Sequence, residues 1–133
     1  MTDEELIAQF EDRTLPPAMF DHSQHVRLAW AYLTRLPVIG AIERFSLGLK
    51  AYAAGLGKDG LYHETVTWGH IFLIHERMAA GEPGKTWDEF AAENEDLLKW
   101  KEGAFIQRYG EEVLSSKTAR RIFVLPGTSQ PAD

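Results

Sequence analysis

A chain of 133 residues lies at the modal length of a single domain, and 44% hydrophobic with 26% charged residues describes an ordinary globular protein rather than a disordered or fibrous one. Its 14 Lys and Arg against 20 Asp and Glu leave a formal charge of -6, which supplies no counterion-release drive and argues against nucleic acid as a partner. The absence of cysteine removes disulfides, thiolate metal sites and a Cys nucleophile, so any metal would have to be held by nitrogen and oxygen.

The opening MTDEELIAQFEDR is acidic and amphipathic, without the basic start and apolar run of a secretory signal. Thr2 and Glu5 read as a capping box, and Leu6, Ile7 and Phe10 recur at helical spacing to about Arg13. Leu15-Pro16-Pro17 must leave that helix, because proline lacks the amide hydrogen and restricts its predecessor. Asp21 or Ser23 is expected to cap a second helix with an apolar stripe of Val26, Ala29, Trp30 and Leu33, ending before Pro37. Ile39, Ile42, Phe45, Leu49, Tyr52 and Ala53 then mark a third helix, stopped by Gly55 and Gly57.

After the turn at Lys58-Asp59-Gly60, a long fourth helix is predicted from about Tyr62 to Ala80, apolar nearly all round and therefore central. Gly81-Glu82-Pro83-Gly84 breaks the chain, and a second capping box, Thr86 with Glu89, opens a fifth helix bearing Trp87, Phe90, Leu97 and Leu98. Phe105, Ile106 and Tyr109 suggest a sixth, and Ser115 or Ser116 can cap a seventh through Arg121. Only Ile122 to Leu125 reads equally as a strand, and 126–133 reads as a frayed tail. The expectation is an all-α, compact single-domain bundle of about five to seven helices over 1–133, without internal repeats. No stretch approaches the roughly 20 apolar residues that span a bilayer, so no membrane association is expected and the cytoplasm is the expected location.

All five histidines fall on or beside the second and fourth helices. His22 and His25, three apart, share a helical face within reach of one ion. On the fourth helix His63, Thr67 and His70 share one face, and Glu64, Trp68 and His75 the adjacent one. His63 and His70 are seven apart, about 10 Å along the axis, too far for one ion. A single metal would therefore take His22, His25 and His63, with Glu64 as fourth ligand or general base. Zn²⁺ on three imidazoles would activate a water for hydrolase or lyase chemistry, and iron or nickel suit nitrogen ligands equally. Without metal, the same residues make an acid-base site, with His63 or His25 as proton shuttle, Glu64 as its partner, and Tyr62, Thr67 or Arg27 as hydrogen-bond donors. The competing reading makes His22 and His25 helix caps or carbonyl-bound core residues, with His75 a surface residue favoured by the helix dipole.

Familiar signatures are absent. His63-Glu64-Thr65-Val66-Thr67 starts like the zincin helix but carries threonine where its second histidine must stand. No histidine has a glutamate three residues before it, as a ferritin-like di-iron site requires. Gly55 to Gly60 lacks the spacing of a phosphate loop. Glu89, Glu93 and Asp96 read better as a solvated face than as an acidic ligand set, and Ser115, Ser116, Arg120 and Arg121 combine donors and cations that suit either an anion or plain surface capping. Aromatic residues at helical spacing are usually core, but Trp30 and Trp68 stand beside the histidine clusters and are the tryptophans expected to line a pocket with Tyr62 and His70.

The segments His22 to Trp30 (HSQHVRLAW), Tyr62 to Thr67 (YHETVT) and Ala119 to Pro126 (ARRIFVLP) resemble those of a family of small bacterial all-helical proteins. The resemblance spans most of the chain and implies a bacterial, cytoplasmic protein, while bringing no activity, substrate or cofactor with it. Three functions remain in view. The first is a small-molecule enzyme with a histidine-centred site between helices two and four. The second is a non-catalytic module binding a small apolar or aromatic ligand, or a protein partner, near Trp30 and Trp68. The third is a homodimer formed through an exposed apolar face.

Overall fold

The computed structural model describes residues 1–127. It is 69% helical with no strand among the described residues, an all-α single domain. The helices are α1 (Asp3–Glu11), α2 (His22–Leu33), α3 (Val38–Gly55), α4 (Glu64–Ala80), α5 (Trp87–Glu93), α6 (Ala104–Tyr109), α7 (Glu111–Leu114) and α8 (Lys117–Arg121), with 3-10 turns at Pro17–Met19, Asp59–Leu61 and Glu95–Leu98. α2, α3 and α4 pack on one another as the centre, α1 lies against α2 and α3, α5 and the turn after it cover α2, and α6 and α8 cover α4.

The helix starts follow from their caps. Thr2 accepts the Glu5 N–H at 3.1 Å, and Asp21 accepts that of Gln24 at 3.0 Å. Thr86 and Glu89 form the full reciprocal box. The third helix stops where expected, with Gly57 at φ +69, a left-handed conformation that favours glycine. One helix ends earlier than its apolar pattern predicts: Asn94, buried, donates its amide to Phe90 O at 2.9 Å, satisfying a carbonyl of the last turn and ending α5 before Leu97. Short Glu111–Leu114 raises the count among the described residues to eight; it follows Gly110, whose φ of +85 breaks the chain between α6 and α7.

The core under α1 is a cluster of Phe10, Phe20, Tyr32, Phe45 and Tyr52. Tyr52 and Tyr32 stay in it by placing each hydroxyl on an acceptor, Leu15 O and Glu11 Oε2, both at 2.6 Å. Ile122 to Leu125 forms no strand. Thr65, fully buried, donates to Ile122 O at 2.7 Å and accepts the Val124 N–H at 3.0 Å, while Tyr109 donates to Val124 O at 2.9 Å. Side chains thus supply the partners that a neighbouring strand would otherwise provide. The expected frayed tail lies outside the described residues from 128 onward. No helix among the described residues is long and apolar enough to cross a membrane.

Candidate functional site

A cavity of about 250 Å³ opens between α2, α3 and the start of α4. Phe45, Leu49 and Ala53 of α3, with Leu56 just past its end, make one wall. Opposite stand His22, His25 and Val26 of α2 with His63, Val66, Thr67 and His70, and Leu61, Lys58 and Tyr62 lie along the segment entering α4. One wall is aliphatic and aromatic, and the other is a row of imidazoles.

The four histidines differ in how their nitrogens are used. His63 is the N-cap of α4: its Nδ1 accepts the Val66 N–H at 3.1 Å, and its Nε2–H donates to Leu114 O at 2.7 Å. Both nitrogens are engaged, so His63 has none left for a metal or for a proton in transit. His70 donates Nδ1–H to Val66 O at 2.8 Å, which leaves Nε2 an acceptor; that nitrogen is buried and has no partner among the described residues. Its ring is held flat on Phe105, centroids 4.0 Å apart, and meets His22 edge-on at 5.2 Å. His22 donates Nε2–H to Leu97 O at 3.1 Å and keeps Nδ1. His25 stacks on Phe20 at 3.8 Å, and no hydrogen bond engages its ring among the described residues.

Burial is the main force on all four, and it disfavours the imidazolium. It pushes His25 down to about 4 and His70 down to about 3, and lowers His22 and His63 despite the carbonyls that favour their charged forms. At neutral pH the wall is therefore a set of uncharged imidazoles. His25 and His70 are weak bases there, poorly matched to carrying protons near neutral pH.

The residues expected in the site divide. His22, His25, His63, His70, Tyr62 and Thr67 line the cavity. Glu64 partners Tyr62, not a histidine: the Tyr62 hydroxyl donates to Glu64 Oε1 at 2.6 Å, and burial together with that carboxylate raises the phenol pKa. Arg27 points instead to α1, where it pairs with Asp3 at 3.0 Å and donates to Met1 O at 2.7 Å. Trp30 packs with Trp87 and Phe90, because its position on α2 faces α5. Trp68 stacks on Phe123, on the side of α4 covered by the C-terminal segment. Phe20 and Phe45, aromatic residues that the sequence offers for a pocket or for the core alike, form its lining, whereas the favoured Trp30 and Trp68 do not.

Among the described residues, no group of three or more His, Asp or Glu side chains is gathered to hold a metal ion. The expected set of His22, His25 and His63 is not assembled, and the engaged nitrogens of His63 are the physical reason. The acidic face divides likewise, with Glu89 in its capping box, Glu93 on Lys85 and Asp96 on Arg77. Of the anion-site candidates, Ser116 accepts the Ala119 N–H, Ser115 donates to Glu111 O, and Arg120 donates to Gly60 O and Tyr62 O. Those donors hold backbone together. No family model, curated protein or solved structure matches the chain.

Proposed function

We propose that the protein binds a small, largely apolar molecule in the cavity between α2, α3 and α4. The observation that carries this reading is the composition of that cavity: a half-open, largely apolar space with uncharged imidazoles on one side, three of which (His22, His25 and His70) have ring nitrogens without a hydrogen bond among the described residues. Ligand pockets combine apolar walls with a few polar groups in this way. Core histidines serving only the fold would have their nitrogens satisfied, as His63 does.

The test is a fragment screen by protein-observed NMR, repeated on Ala53→Trp, which fills the cavity from the α3 wall. Small aromatic or branched aliphatic fragments should shift the resonances of His25, Val66 and His70, and the variant should keep its helical circular dichroism while losing those shifts. A screen in which no fragment perturbs the cavity would overturn the reading.

A second reading, an enzyme working on the bound molecule, is favoured by His22. Its Nε2–H is held by Leu97 O, leaving Nδ1 as the candidate general base in the less buried part of the imidazole row. Under that reading His22→Gln abolishes turnover of the bound molecule without weakening its binding. Loss of both together would leave binding alone.

A further inference from the structure

Resting on the proposed cavity, we infer that its ligand is an uncharged alcohol or phenol whose hydroxyl is held between the rings of His25 and His22, accepting the N–H of the first and donating to Nδ1 of the second. Every hydroxyl and imidazole on the lining except His25 has already given its hydrogen to an acceptor within the fold. His22 gives Nε2–H to Leu97 O, His63 and His70 give theirs to Leu114 O and Val66 O, and Thr67, Tyr52 and Tyr62 donate to His63 O, Leu15 O and Glu64. His22 Nδ1 is therefore a lone pair only. His25, whose ring has no hydrogen bond among the described residues, alone keeps both a hydrogen and a lone pair to offer.

Both rings are open to the cavity. The unpaired side-chain nitrogens closed off from solvent among the described residues are Trp68 Nε1 and His70 Nε2, so the free nitrogens of His22 and His25 keep accessible surface. Burial nonetheless dominates the surroundings of both rings, strongly enough to push His25 down to about 4. A ring crowded by protein that still keeps surface stands on a recess, and the recess that both line is this cavity. Phe20, stacked on His25 at 3.8 Å, fixes the plane in which its nitrogens point. Three residues apart on α2, the two side chains share a face with β-carbons about 5–6 Å apart, close enough for one hydroxyl to reach both.

The same wall disfavours the other ligand classes. An ether or a ketone has no hydrogen for His22 Nδ1. A carboxylate or phosphate would set negative charge against that lone pair, and the one lysine on the lining, Lys58, is exposed. An ammonium would find no carboxylate on a lining whose Tyr62 already carries Lys50 over its ring at 5.0 Å. A hydroxyl brings the one hydrogen and the lone pairs that these two rings call for.

Matched probes test the inference: para-propylphenol, para-propylanisole, para-propylbenzoate and para-propylbenzylamine, titrated by calorimetry into the wild type and into His25→Phe, which keeps a ring on Phe20. The phenol should bind about fivefold more tightly than the anisole, the worth of one hydrogen bond. In His25→Phe the two should become equal. Nitrogen NMR of the wild-type imidazoles provides a readout that does not depend on the variant folding: the Nδ1 resonance of His22 and those of His25 should move with the phenol, and His22 Nδ1 should stay put with the anisole.

Equal affinity for phenol and anisole in the wild type, a preference that survives in His25→Phe, or an unmoved His22 Nδ1 resonance would overturn the inference while leaving the cavity reading in place. Tightest binding of the benzoate would overturn it in favour of an anion held at Lys58, and tightest binding of the benzylamine in favour of a cation. If no probe binds while the fragment screen finds other ligands, the inference falls alone. If the fragment screen is also blank, the cavity reading falls and the inference falls with it.

Discussion

Along α4, the side toward the C-terminal segments and the side toward α2 and α3 are built to different standards. On the first, Thr65 uses its hydroxyl twice, and Gly69 lets the helix approach so closely that an added Cβ would lie 2.5 Å from Phe105 Cε2. On the second, Val66, Thr67 and His70 border an empty volume, and His70 keeps an unpaired nitrogen. Within one helix, the Thr65 hydroxyl is fully paired and Gly69 is tightly packed, whereas the buried Trp68 Nε1 and His70 Nε2 have no hydrogen-bond partner among the described residues.

Four measurements would break or sharpen that contrast. Thr65→Val should be the most damaging, because it takes the hydroxyl of a fully buried residue away from Ile122 O and from the buried Val124 N–H; urea unfolding should show a loss of about 2–4 kcal/mol. Acidification comes next. His25 and His70 stay neutral in the fold down to about 4 and about 3, so the unfolded chain takes up their protons first once the pH drops below about 6.5. Stability should therefore fall with decreasing pH, by about 2–3 kcal/mol per unit between pH 5.5 and 4.5 for the two together, at roughly 1.4 kcal/mol per proton. In His70→Phe about half of that slope should vanish.

Gly69→Ala should cost about 1–3 kcal/mol through overpacking against Phe105, seen as a lowered thermal midpoint. His70→Phe should have the smallest effect on stability at pH 7, within about 1 kcal/mol of wild type, because it removes an unpaired acceptor and keeps the ring stack. A loss for His70→Phe as large as that for Thr65→Val would erase the distinction between the two sides.

Much of the fold was legible because its signals are local. Thr2, Asp21 and Thr86 cap the helices their positions announce, and Pro37 and Gly57 bound α3. Four of the five histidines that the sequence clusters on two helices, His22, His25, His63 and His70, stand with Tyr62 and Thr67 beside one cavity. The roles within that region were not legible, because they depend on partners far along the chain. His63 caps α4 locally through Val66, but its second nitrogen is engaged by Leu114, 51 residues away, and His22 meets Leu97, 75 residues away. Trp30 and Trp68 satisfy helical periodicity as well as any pocket residue would; Trp87 and Phe123 decide that they are core. Arg27 follows the same logic, since Asp3 claims it from another helix.

The long-range bonds that hold the start of α4 also bear on the order of events during folding. Leu114, Ile122 and Val124 reach His63 and Thr65 across 51, 57 and 59 residues. Closing loops of that length costs on the order of 3 kcal/mol of chain entropy before any contact rewards it. Helices α2 and α3 are neighbours in sequence and can meet early, whereas the first turn of α4 gains its last partners only when the distant segment docks. That order places the His63 end of the imidazole wall after its α2 end, and refolding followed by pulse-labelled hydrogen exchange should show the Val66 amide protected after those of α2.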